Sequence, residues 1–285
     1  MNDTSAATTA FFRIEDRSGT ETLLPGPRAA SSWGGHGQIR GTAISGVLAR
    51  AAERAAGAVD DAHRFRPGRW TLDLFRPALV APAVTTATVI RRGRRLRLVD
   101  AELTQDGAIV ARASLLLLAV DGERPTGQVW DAGLAETPVV ADVRPETTES
   151  TLYFSEDAGW TGSPAVHQNA GRKMLWFLPA TLISGEVPSA FQRMAVAADS
   201  SNLVANWGTA GLEFINADLT LSIARLPSDD DGIGLRAEGR RESDGIALGR
   251  AMMFDREGPV GAVLLTSIVN SAHTVDPRSF GVRRA

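Results

Sequence analysis

The feature that most restricts how this chain can fold is a repeat of long period. Residues 75 to 120, FRPALVAPAVTTATVIRRGRRLRLVDAELTQDGAIVARASLLLLAV, begin with a proline-punctuated stretch, alternate apolar with polar residues, and carry a turn at Gln105-Asp106-Gly107 before the last strand. Residues 214 to 269, FINADLTLSIARLPSDDDGIGLRAEGRRESDGIALGRAMMFDREGPVGAVLLTSIV, present the same parts in the same order. DGAIVARASLLLLAV falls against REGPVGAVLLTSIV, and RRGRRLRLVDAEL against GRRESDGIALGRAMM. One helix candidate precedes each set of strands. GQIRGTAISGVLARAAERAAGA (37–58) has Ile44, Val47 and Leu48 at helical spacing, and its glycines allow close approach to another element. PSAFQRMAVAADSSNLVAN (188–206) offers Ser189 as an N-cap. Residues 121–150 are Pro-rich, acidic and weakly periodic, and read as a linker. The chain is therefore an α+β pattern of strand, helix and meandering antiparallel strands, twice over.

The second helix candidate contains an anomaly. Phe191, Ala195, Asp199 and Leu203 lie four apart on one stripe, which sets a carboxylate among apolar side chains. Burying a carboxylate costs several kcal/mol, on the order of a whole domain's margin, unless it is paired or hydrogen-bonded. Two readings follow: a structural hydrogen bond to the facing strands, or a functional carboxylate with a raised pKa.

Composition removes several classes of function. With 285 residues the chain is one large domain or two of ordinary size, and 44% hydrophobic with 22% charged residues is a globular balance. There is no cysteine, which excludes a disulfide framework, a thiol nucleophile and a thiolate metal site and suits the cytoplasm. MNDTSAATTAFFRIED lacks a basic n-region, and no apolar run approaches the roughly 18 residues of a membrane span, so neither export nor a membrane partner is expected. A net charge of −3 opposes general nucleic-acid binding. The exception is local: Arg91, Arg92, Arg94, Arg95 and Arg97 crowd into RRGRRLR, either as a solvated turn or as a phosphate contact. His36, His63, His167 and His273 show no paired metal spacing, so no metal and no cofactor are expected. No Gly-x-Ser-x-Gly pentapeptide follows a strand, which disfavours a serine hydrolase.

Four local features carry a resemblance. Asp199 stands in Ala198-Asp199-Ser200; Asn216 precedes an aspartate in INAD; Thr266 lies about eight residues beyond Gly258; and Trp33-Gly34-Gly35-His36-Gly37 forms a glycine-rich turn before the first helix. Over most of residues 10 to 270 the chain resembles the double hot-dog acyl-CoA thioesterases of the type II, TesB-like group. The resemblance implies a double hot-dog: two antiparallel sheets, each wrapping a long central helix and packed into one continuous antiparallel surface, as an N-terminal domain (1–125), a linker (126–150) and a C-terminal domain (151–285). It implies an acyl-CoA thioesterase in which Asp199 assists attack by water, with Asn216 and Thr266 at the positions where the family carries threonine and glutamine. Trp33, Gly34, Gly35, His36 and Gly37 are then the substrate-binding turn, with Trp33 walling an acyl pocket and the glycines letting an acyl carbonyl approach backbone N–H groups at a helix start; Trp176 and Trp207 read as core. The implied partner is an acyl-CoA or acyl-carrier thioester, and a homo-oligomer of double hot-dog chains is among the arrangements the resemblance allows. The hydratase branch of the fold places a histidine five residues after its aspartate, where this chain has Val204. Because two of three polar positions are altered, the alternative is a non-catalytic acyl-thioester-binding protein, and Thr266, shorter than glutamine, implies slow turnover in an active one.

Overall fold

A computed structural model describes residues 10–17, 19–31, 37–58, 61–120, 122, 126–128, 138–143, 151–178, 180–228 and 231–279. The first half contains strands β1 (Phe12–Arg17) and β2 (Thr20–Pro25), helix α1 (Gly41–Gly57), and strands β3 (Phe65–Leu74), β4 (Ala83–Arg92), β5 (Leu96–Gln105) and β6 (Ala108–Ala119). The second contains β7 (Thr151–Ser155), β8 (Gly159–Thr161), β9 (Lys173–Phe177), helices α2 (Ala190–Asp199) and α3 (Ser201–Asn206), then β10 (Trp207–Gly208), β11 (Gly211–Leu212), β12 (Phe214–Asn216), β13 (Asp218–Ile223), β14 (Ile233–Ser243), β15 (Ile246–Asp255) and β16 (Gly258–Val269).

The repeat is visible in the strand order. One 14-stranded sheet runs β1-β2-β4-β5-β6-β3-β13-β16-β15-β14-β9-β7-β8, with β12 added on β16. The run β4-β5-β6-β3 is thus mirrored by β14-β15-β16-β13, and antiparallel pairing of β3 with β13, Leu72 opposite Leu219, joins the halves. The expected turn is a two-residue hairpin, Asp106-Gly107, whose φ values of 48° and 76° suit the tight loop between twisted strands.

The continuous antiparallel surface is as expected, whereas a long helix in each half is not found. The sheet is continuous, and only α1, with 17 residues, is long. The second helix has its predicted N-cap, the Ser189 hydroxyl accepting from the Gln192 N–H at 3.1 Å, but it is interrupted after Asp199. There the N–H of Ser200 bonds to the Ala197 carbonyl and that of Leu203 to the Ser200 carbonyl, both at 3.0 Å, so the turn tightens. Asp199, Ser200 and Ser201 are short polar residues that compete poorly as helix interior. The first helix begins at Gly41, four residues later than the periodicity suggests.

α1 and α2 lie antiparallel between the halves. The Ser45 hydroxyl donates to the Ala195 carbonyl at 2.7 Å, and Trp70 Nε1 on β3 donates to the same hydroxyl at 3.1 Å. Glu53 receives the Ser189 hydroxyl and the Gln192 amide, each at 2.7 Å. Arg50, buried in α1, reaches Glu186 before α2 and Glu21 on β2. The N-terminal strand crosses over too, with the Phe11 and Phe12 N–H groups bonded to the Thr181 and Leu182 carbonyls. Among the described residues between β6 and β7 there is no helix or strand, but that stretch is not wholly free. Val140 and Val143 pack beside Trp176 and Phe254, and the Val139 carbonyl accepts from Trp160 Nε1 at 2.8 Å.

The helix contact depends on Gly46, where an added Cβ would lie 2.7 Å from both Leu182 Cδ1 and Val196 Cγ2. Gly46→Val should therefore destabilise the protein by about 1–3 kcal/mol through overpacking. Gly57, at the other end of α1, faces open space, and Gly57→Ala should stabilise by about 0.4–1 kcal/mol. Urea unfolding of the two variants measures both signs.

Candidate functional site

A cavity of about 800 Å³ opens where the two halves meet, lined by α1, α2, the loop after β3, β12 and strands of the second half. Its walls are mostly apolar, including Ile44, Tyr153, Phe177, Leu203 and Ile233. Among the described lining residues Asp199 is the one carboxylate, while Arg28, Arg40, Arg76 and Arg193 supply positive charge.

Antiparallel packing of the helices decides where Asp199 falls. As the last residue of α2, it meets the first residue of α1, Gly41. The contact is so close that a Cβ at Gly41 would overlap both carboxylate oxygens. The first turn of a helix presents N–H groups without intrahelical acceptors and carries the positive end of the helix dipole, so a carboxylate gains there. Asn216, reaching across from β12, donates through Nδ2 to Asp199 Oδ1 at 3.0 Å. Burial nevertheless dominates. It pushes the Asp199 carboxyl up to about 6, against the Asn216 hydrogen bond and the positive charge of Arg40, both of which favour the ionised form. Beside it, the Thr42 hydroxyl is buried without a hydrogen-bond partner among the described groups. The stripe read from sequence is real, since Phe191, Ala195 and Leu203 are buried, and its carboxylate faces a cavity instead of a core.

The other residues singled out in the sequence are distributed unevenly. Trp33, Gly34, Gly35 and His36 lie outside the described residues. Gly37 is exposed in a turn at φ 86° and does not line the cavity; the backbone there belongs to the segment from Gln38 to Thr42, because the helix begins later than expected. Thr266 must be corrected. Its side chain is exposed and absent from the cavity lining, whereas the inward neighbour is Ser267. Ile268, on the same face of β16 as Thr266, does line the cavity, so Thr266 lies beyond the cavity's edge and not on the opposite face. Ser267 does not reach Asp199 either; it bonds to Asn202 and Asn206. The arginine run sits on the β4–β5 hairpin, with Arg97 buried against Phe65 and paired with Asp61, and none of it lines the cavity. Trp176 and Trp207 are core, as expected.

His167 is fully buried away from the cavity. Its Nδ1 lies 3.0 Å from the Ser155 hydroxyl and its Nε2 2.8 Å from the Thr161 hydroxyl. Burial, reinforced by the charge of Lys173, lowers its pKa to about 4. Among the described residues, no cluster of three or more histidine or acidic side chains is placed to hold a metal ion, and no helix is long and apolar enough to cross a membrane.

Sequence reasoning missed Gly41 and Arg40, though a glycine followed by threonine ahead of an alanine-rich run is a signal for a helix start. It also missed Asn202, three residues beyond Asp199, and Ser267.

An extended antiparallel sheet with few helices, and a mostly apolar cavity whose described lining holds one carboxylate at a helix N-terminus, define the class of this α+β protein. Comparison with known proteins narrows the class. The family model for the acyl-CoA thioesterase N-terminal domain matches residues 29–118, and that for the acyl-CoA thioesterase C-terminal domain matches residues 123–269. The chain belongs to the TesB-like acyl-CoA thioesterase family, and this family and fold support thioesterase activity in general. No curated protein sequence matches it. Among solved structures it is similar to a tesB protein of Mycobacterium avium subspecies paratuberculosis, at 17% identity and TM-score 0.59 over 94% of this chain and 99% of that one. It is similar to an acyl-CoA thioesterase II of Mycobacterium marinum at 14% identity and TM-score 0.59, covering 94% and 97%. A conserved hot-dog-fold protein of Alicyclobacillus acidocaldarius matches at 14% identity and TM-score 0.60, covering 94% and 98%. At these identities the structures speak for the fold alone, which is of the hot-dog kind.

The two shifted groups oppose each other in stability. Asp199, raised in the folded state, contributes stability that is complete below its unfolded value near 3.8 and lost as pH rises through about 6. His167, lowered, contributes stability present above its ordinary 6.5 and lost as pH falls through about 4. Asp199→Asn should therefore raise the melting temperature by a few degrees at pH 7, with the gain shrinking to nothing near pH 4. Calorimetry of both proteins across that range checks the sign; a gain of equal size at pH 4 would assign the effect to packing.

Proposed function

We propose that this chain hydrolyses acyl-CoA thioesters, with Asp199 as the base that takes a proton from the attacking water. The observation that carries the reading is the placement of the Asp199 carboxylate inside an apolar cavity, against the first turn of α1. Asn216 occupies Oδ1, which leaves Oδ2 for a water molecule. The ionised carboxylate accepts a proton from that water as its oxygen bonds to the thioester carbon, and the carbonyl becomes an oxyanion. N–H groups of the first turn of α1 are donors suited to that oxyanion, and Gly41, lacking a side chain, lets the Asp199 carboxylate lie against the same turn. Collapse of the tetrahedral species breaks the C–S bond, and the thiolate leaves with the proton held by Asp199. Arg28 and Arg76, lining the cavity, suit the phosphates of coenzyme A, a role this assigns to them in place of the β4–β5 arginines.

The reading takes residues 1–125 and 151–285 as two hot-dog domains joined by 126–150, neither complete alone. Without its partner, each would leave β3 or β13 as an open edge and a helix face uncovered.

Asp199→Asn keeps the size of the side chain but removes the proton acceptor, so turnover should fall by on the order of a hundredfold or more in a hydrolysis assay against acyl-CoAs of graded chain length. Wild-type turnover should rise with pH through about 6, as Asp199 ionises. A mutant within about threefold of wild type would place the base elsewhere. Because Thr266 is exposed, Thr266→Gln should leave turnover within about twofold, not raise it. That exposure favours the second reading, a non-catalytic acyl-thioester-binding protein, since it leaves Asn216 as the one side chain hydrogen-bonded to Asp199 among those the family pattern indicates. Saturable acyl-CoA binding without hydrolysis above background would decide for it.

A further inference from the structure

The hydrogen bond between Asp199 and Asn216 joins two parts of the chain that little else holds together. β12 is three residues long and, among the described residues, pairs only with β16, with Asn216 opposite Ser267. A buried polar network supplies what the short strand lacks. Asn202 donates through Nδ2 to the Phe214 carbonyl at 3.0 Å, two residues before Asn216. The Ser267 hydroxyl donates to Asn202 Oδ1 at 3.0 Å and accepts from Asn206 Nδ2 at 3.1 Å. Asn206 Nδ2 also reaches Asn202 Oδ1 at 2.8 Å, and Asn206 Oδ1 accepts from Arg240 Nε at 2.8 Å. Arg240 in turn lies over the Phe214 ring. Asn202, Asn206 and Ser267 are 2%, 8% and 1% exposed, and none lines the cavity. Apolar side chains would fill such a space without the demand that every polar atom be partnered, so the network is there for geometry. It closes a ring: Asp199 to Asn202 along the helical run, Asn202 to Phe214, Phe214 to Asn216 along β12, and Asn216 back to Asp199.

We propose that Asn202 and Ser267 are positioning residues for the reaction read above, clamping β12 and β16 to α3 so that Asn216 stays on Asp199 Oδ1 and Oδ2 is left to the water. The inference rests on the reading of Asp199 as the base. Its consequence is measurable on the carboxyl itself, because the Asn216 hydrogen bond favours the ionised form. The charged groups around Asp199 are Arg40 ahead of α1, Arg193 on α2, and Arg28, Arg76 and His273 lining the cavity. None of them is altered by changing Asn202 or Ser267.

The test is a carbon-13 NMR titration of aspartate carboxyls in the full-length protein, with the Asp199 signal assigned by its loss in Asp199→Asn. Asn216→Ala should move the midpoint up by about half a pH unit or more. Asn202→Ala and the milder Ser267→Ala should move it in the same direction, and Asn202→Ala/Asn216→Ala should move it no further than Asn216→Ala alone. Ser155→Ala, in the buried network around His167, is the control that loses stability without moving Asp199. An unchanged midpoint in a folded Ser267→Ala, or an additive double variant, overturns the proposal. Where the midpoint moves as expected and the wild type hydrolyses no acyl-CoA, the positioning stands and the thioesterase reading falls.

Discussion

The contact between α1 and α2 is the constraint from which the rest of the structure follows. Two helices approach this closely only where side chains are small, and Gly41, Ser45, Gly46 and Ala49 keep that face of α1 low. Leu182 and Val196 fill the space over Gly46, and the Ser45 hydroxyl reaches the backbone of α2. The same contact fixes the halves of the chain to one another, since one helix comes from each. Pairing of β3 with β13 then becomes possible, and the two sets of strands form one sheet instead of two.

Antiparallel packing also brings the C-terminal end of α2 to the N-terminal end of α1, and this gives Asp199 its character. The position is electrostatically mixed. Removal from water disfavours the charge, whereas the helix N-terminus, Arg40 and the Asn216 amide favour it. Desolvation prevails, so the carboxyl titrates near 6, where it is ionised at neutral pH yet still able to hold a proton. A carboxylate ionised in such a place lowers the stability of the fold at neutral pH. His167 shows the contrasting case: a buried titratable group with both ring nitrogens partnered, outside the cavity lining, whose neutral form burial favours.

The polar residues of α3 extend the same logic one layer outward. Asn202 and Asn206 follow Asp199 at helical spacing, but they turn toward the strands and bind to each other, to Ser267 and to backbone. The break after Asp199 makes this possible, because a continuous helix with regular bonding would carry the three side chains on a different set of directions. On the short strand β12 the Asn216 amide thereby lies within hydrogen-bond reach of Asp199.

The amino-acid sequence by itself determined the repeated strand-and-helix order, the Asp106-Gly107 hairpin, the Ser189 cap and the apolar stripe that contains Asp199, because each is written in local spacing and turn chemistry. It also held the resemblance that led to the family. Tertiary structure alone decided that the halves join through β3 and β13, that α1 begins at Gly41 and meets Asp199, and that Asn216 reaches Asp199 while Thr266 lies outside the cavity lining. The reason is the same in each instance. Which residue of a strand reaches a cavity, and where a helix begins, are set by the elements packed against them. Neither quantity is fixed until the two halves have closed on one another.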